Sequence, residues 1–168
     1  MKSIIKLLVA AFLTVAPLTV IAQSNVAHIN VQQLISEMPE VIAAQNELAK
    51  LEKDYTTQID NAFKEFQTKA QSYSSDAANQ TDVTNQARQK ELESMQTNLQ
   101  EFRDSAAQEL QKKQMDLMTP LLEKARNAIT KVGEEQGFNY VIDSSPNGGI
   151  ILANGKDLLS DVKKELGF

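Results

Sequence analysis

Between Pro39 and Pro120 the chain contains neither glycine nor proline, and that absence restricts the fold more than any other feature of the sequence. A backbone without either residue has few easy places to turn, and a middle rich in Gln, Lys, Glu, Asn and Ala fits long helices better than a packed globule. The apolar positions agree: Val41, Ala44, Leu48, Leu51, Tyr55, Ile59, Ala62, Phe66, Ala70 and Tyr73. After Leu48 the steps are 3, 4, 4, 3, 4, 4, 3, a repeat of eleven that favours a nearly straight or slightly right-handed coiled-coil stripe. Pro39 suits the first turn, where its missing N–H costs nothing. From there to about Ser74 the helix would run roughly 50 Å.

"SSDAANQTDV", residues 74–83, is polar and rich in cap and turn formers, so it reads as the tip of a hairpin between antiparallel helices. One unbroken helix through Ala77 and Ala78 is the alternative. The stripe resumes with Leu92, Met95, Leu99, Phe102, Ala106 and Leu110 and continues past Pro120 to Val132. A proline inside a helix removes a backbone bond and clashes with the preceding turn, which predicts a kink near Pro120.

Strand patterns occur only at the two ends. "VAHINV" (26–31) alternates with Ala27, Ile29 and Val31 on one face. In "EEQGFNYVID", Gly137 stands where a helix C-terminal glycine belongs, and Phe138, Tyr140 and Ile142 alternate. "SSPNGG" reads as a hairpin loop, "IILA" as the strand that follows it, and Asp157 as the cap of a last helix with Leu158, Val162 and Leu166 on one side. The expected fold is mainly α with a small β body: residues 23–38 and 133–168 form the body, and a coiled-coil hairpin, residues 39–132, is inserted between them. Three short strands bury too little apolar surface to stand alone, so the body is expected to be completed by copies of itself. Its candidate contact residues are Ile29, Val31, Val141, Ile142, Ile151 and Leu152.

The first 22 residues read as a secretory signal cleaved after Ala22, with Lys2 and Lys6 before an apolar run from Leu7 to Ile21. An uncleaved anchor is the rival reading, but Pro17 and the threonines weaken a run that barely reaches the roughly 20 residues of a span. Removing Lys2 and Lys6 leaves 15 basic and 22 acidic residues, a formal charge of −7. Dispersed Lys and Arg on an acidic chain argue against nucleic acid as a partner. The chain has no cysteine, which excludes both a disulfide framework and a lipid-modified cysteine anchor. No Walker-type phosphate loop, Cys/His cluster or paired catalytic carboxylates are recognisable, so no catalytic residue, metal site or cofactor is expected. His28, the only histidine, lies on a strand as a structural or rim residue, and the glycines of "NGG" at 147–149 are explained by a turn.

The order strand, helical hairpin, strand, loop, strand, helix resembles the Skp/OmpH family of periplasmic chaperones. The resemblance covers the whole mature chain and rests on "VAHINVQQLISEMPEV", "PLLEKARNAITKVGEEQGFNYVID" and "DLLSDVKKELGF". It implies a periplasmic homotrimer with a barrel-like body and three helical arms around a cavity. Such a protein would hold unfolded outer-membrane proteins without ATP and pass them to the membrane assembly machinery. On this reading the rims of a two-helix seam supply the client contacts. Phe66, Tyr73 and Met95 lie along the stripe, whereas Phe63 sits about 60° from its centre, given 100° per residue. Met115 and Met118 likewise leave the line of Leu110 and Leu117. Methionine's flexible thioether suits changing surfaces. Tyr55, Phe66 and Tyr73 also have a plainer role, packing against Phe102, Leu99 and Leu92. One departure from the family stands out: its best-known members are basic, whereas this chain is acidic, with Lys69, Arg88 and Lys90 scattered, so a lipopolysaccharide site does not carry over. A structural coiled-coil protein of the envelope, or an adaptor using the face near Lys163 and Lys164, remains the alternative.

Overall fold

The computed structural model describes residues 25–146 and 148–168; the expected signal and its cleavage site lie outside them. Strand β1 (Val26–Ile29) leads through Asn30 into helix α1 (Val31–Glu37), followed by helix α2 (Pro39–Asp76), a short 3₁₀ turn (Ala77–Asn79) and helix α3 (Asp82–Glu135). Strands β2 (Tyr140–Asp143) and β3 (Lys156–Asp157) and helix α4 (Leu159–Leu166) complete the chain. The two long helices form the antiparallel hairpin, 38 and 54 residues long, or about 57 and 81 Å at helical rise.

Local chemistry sets the ends of these elements. The Asn30 side chain accepts the Gln33 N–H at 2.9 Å and caps α1. Pro39 opens α2 at the first helical position, after Met38. The hairpin turns where Gln80 and Thr81 adopt extended backbone, and Thr81 Oγ1 accepts the Thr84 N–H at 3.2 Å to start α3. Gly137, with φ of +74°, reverses the chain after α3. Helix α3 continues without interruption through Pro120. The Asp116 carbonyl that loses its donor there belongs to an exposed turn, where water can satisfy it.

The sheet differs from the expected hairpin. Both β2 and β3 pair with β1, in parallel, in the order β2-β1-β3. Residues 144–155 therefore cross from one edge of the sheet to the other. Ile151 and Leu152, expected in a strand, lie in an irregular segment instead. The two edges of β1 are both taken, by Tyr140–Asp143 on one side and Lys156–Asp157 on the other, so β1 supplies the hydrogen bonds that a hairpin partner would have given β2. Gly148 N–H donates to the Ser145 carbonyl at 2.7 Å, and a Cβ at Gly148 would stand 2.6 Å from the Asp143 carbonyl oxygen.

The body's core lies between the sheet, α1, the base of the hairpin and α4. Ile29, Leu34, Met38, Val41, Leu158 and Val162 are its largest fully buried side chains. Ala27 and Ile29 face this core, so the register Ala27↔Val141 and His28↔Ile142 puts Val141 inward and turns Tyr140, Ile142 and His28 outward. The sheet stays open, not closed into a barrel.

Candidate functional site

The hairpin has a thin interior. Along its outer reach only Leu99 and Ala106 of the seam are buried, and the remaining stripe residues are half-exposed. Tyr55 meets Phe102 edge to face, ring centres 6.0 Å apart, as the stripe spacing predicts. Cross-helix ion pairs span the seam: Glu40 with Lys124 at 2.6 Å, Glu47 with Lys113 at 2.8 Å and Glu91 with Lys69.

Near the tip the seam turns polar. Arg88 lies over the Tyr73 ring at 4.6 Å and donates to Asp76 at 3.0 Å, while the Tyr73 hydroxyl donates to Glu91 at 2.6 Å. Asp76 also accepts from Gln80 and Asn79. Hydrogen bonds from Lys69 and then Tyr73 hold the Glu91 carboxyl below the usual carboxylate range, and those from Arg88 and Asn79 do the same for Asp76. The Tyr73 phenol is correspondingly pushed up by its bond to Glu91. Tyr73 thus has its hydroxyl and one ring face engaged within the arm.

The other candidate residues divide clearly. Phe63 is 40% exposed and stacks on half-buried Phe66 at 6.5 Å. Together with buried Leu99 they floor a groove of about 440 Å³ rimmed by Gln96, Thr97, Gln100 and Arg103. Met115 is 55% exposed, whereas Met95 is half-buried and Met118 packs against the body core. Periodicity alone missed Ile42, Leu122 and Val83, which are also exposed. All three lie off the line of the stripe, which was the available signal.

In the body, Ile29 is buried and Val31 and Val141 are half-buried against its core. Exposure is greater elsewhere: Ile151 is 101% and Leu152 75% exposed after β2, Tyr140 and Ile142 are exposed on the outer sheet face, and Leu152 shares a small groove with Ile142 and Ile150. A larger apolar groove of about 530 Å³ runs between α1, α3 and β2, lined in part by Ile35, Leu122, Ile129, Phe138 and Tyr140. The His28 imidazole Nδ1 stands 3.2 Å from Ser144 Oγ and ties β1 to the turn after β2. Ser145, almost fully buried, accepts the Gln32 N–H at 3.0 Å through its hydroxyl and lies 2.6 Å from Asp143 Oδ1. Burial would raise the Asp143 carboxyl, but hydrogen bonds from the Ser145 hydroxyl and N–H and from Val31 N–H outweigh it and hold it low. On the outer face of the body near Lys163 and Lys164, Lys163 is tied to Glu37 at 2.6 Å and lies over the Phe168 ring, which removes it as a free cation for an adaptor surface.

Comparison with known proteins matches residues 25–166 to the family described as outer membrane protein (OmpH-like). The chain is 25% identical over 148 residues to the chaperone protein Skp of Yersinia enterocolitica, covering 85% of this chain and 86% of that protein. Its fold is similar to the crystal structure of an OmpH-like protein from Caulobacter crescentus, with a TM-score of 0.76, 12% identity, and coverage of 86% and 85% of the two chains.

Proposed function

This chain belongs to the OmpH-like outer membrane protein family, and from that premise we propose that it is an ATP-independent periplasmic holding chaperone for unfolded outer-membrane proteins. The observation that carries the reading is the arm itself: a two-helix hairpin too thin to bury its own apolar rims, with Phe63 and Met115 left in solvent. Each such contact is weak. At about 25 cal/mol per Å², 100 Å² of apolar area contributes only about 2.5 kcal/mol before ordering costs. Several weak contacts on several arms hold a client by multivalency while each one exchanges, so holding and release need no nucleotide.

Several arms require several chains. In the region of the body, Tyr140 and Ile142 on the sheet, Ile151 and Leu152 after it, and the groove beside α3 leave apolar surface exposed. A monomer that left this surface wet would be prone to association, and a homotrimer in the manner of the family covers it. Delivery to the outer-membrane assembly machinery follows from the same reading. Secretion with cleavage after Ala22 puts the protein in the periplasm.

The test uses the purified chain without residues 1–22, first in light scattering and then in dilution of a urea-denatured outer-membrane barrel protein without ATP. A trimer and a soluble stoichiometric complex are expected, with capture weakened by Phe63→Ser combined with Met115→Ser while the trimer persists. A trimer that leaves the barrel protein to aggregate supports instead a structural or adaptor role.

A further inference from the structure

The groove at the middle of the arm has both an apolar floor and an unpaired cation at its rim. Its floor is the Phe63 and Phe66 ring pair with Leu99. Of the polar groups around it, Thr97 donates its hydroxyl to the Glu93 carbonyl and Gln100 donates its amide to Asp104. Arg103 has no such commitment. Among the described residues it forms no ion pair, whereas Arg88, the other arginine of the outer arm, is held by Asp76.

We propose that this groove selects extended client segments in which an apolar residue and a carboxylate stand two positions apart. The proposal rests on the chaperone reading above and deepens it. In an extended chain residues i and i+2 point to the same side about 6.6 Å apart, so one such pair presents an apolar side chain to the Phe63 and Phe66 floor and an acidic one to Arg103. A guanidinium matches a carboxylate in both charge and planar geometry. The chain's formal charge, −5 overall and −7 without the signal, does not oppose this contact decisively. Exposed charges farther than about 8 Å are largely screened at physiological salt, so the contacting cation outweighs the distant net charge.

The test measures binding of three fluorescent unstructured peptides to the purified chain without residues 1–22, by anisotropy. Their repeats are Phe-Ser-Glu-Ser, Phe-Ser-Gln-Ser and Phe-Ser-Lys-Ser. The expected order of affinity is acidic, neutral, basic. Arg103→Gln weakens only the acidic peptide, by about two- to five-fold as for a partly exposed ion pair, and Phe63→Ser weakens all three. No acidic preference in the unaltered protein, or a preference that survives Arg103→Gln, overturns the proposal while leaving general holding intact. Failure of every peptide together with failure to hold a barrel protein overturns it along with the chaperone reading. A fall in oligomer mass on Phe63→Ser, with peptide binding unchanged, shows that a second copy fills the groove and also overturns it.

Discussion

At Gly155 a single methyl group would test how closely the body is packed. A Cβ there would lie 2.8 Å from the Val26 carbonyl oxygen, a backbone atom that cannot rotate away, at the point where β3 approaches β1. Gly155→Ala is expected to destabilise the fold by about 1–3 kcal/mol, the usual cost of overpacking, as a shift of the urea midpoint at unchanged slope. Ser145 is the complementary case. Its removal leaves the Gln32 N–H and part of the Asp143 carboxylate without a partner, so Ser145→Ala is expected to cost about 1–3 kcal/mol in the same measurement. Neither residue stands out in the sequence. A contact between a turn after β2 and the first turn of α1 joins residues 113 apart, and no local pattern encodes it. Phe63, by contrast, was readable, because helical geometry alone places it off the apolar stripe.

Ion pairs bridge the two helices along the arm, and Arg88 ties its tip together. Replacing Arg88 with Gln removes both the contact with the Tyr73 ring and the bond to Asp76. Amide exchange is expected to quicken about three- to ten-fold across residues 73–91, in line with the usual worth of exposed cation–π and ion-pair contacts, while exchange in the body stays unchanged. The pH dependence has a definite sign. Asp76 and Glu91 are held low in the folded arm, so their contribution is present above the ordinary carboxylate pKa and is lost as pH falls through the folded values. The side-chain amide signals of Asn79 and Gln80 should therefore stay constant from about pH 7 to 5 and move only below about pH 4. The hairpin was legible because a glycine- and proline-free run with an eleven-residue apolar repeat leaves few alternatives. The sheet was not. "IILA" has strand composition, yet the next strand is Lys156–Asp157 and lies across β1 from β2; alternation reports a pleat, never which neighbour a strand will choose. Apolar periodicity was equally blind to the tip, where the partners are charged and 12 to 22 residues apart.

For the whole molecule, the exposed apolar side chains of the body and those of the arms have different tasks in this account. Those of the body join copies of the chain, and those of the arms meet the client. Ile151 and Leu152, exposed on the body, are expected to matter for the first task only. Burying two such side chains is worth about 3 kcal/mol or more, so Ile151→Asp with Leu152→Asp should weaken association by about a hundred-fold or more in sedimentation or light scattering. The most direct test of the central claim is site-specific photocrosslinking. A photoreactive side chain is placed singly at position 63, 115 or 164 in complexes with a denatured outer-membrane barrel protein. Crosslinks to the barrel protein from 63 and 115, with little from 164 on the body, are predicted; crosslinks from 164 alone would contradict the assignment of client holding to the arms.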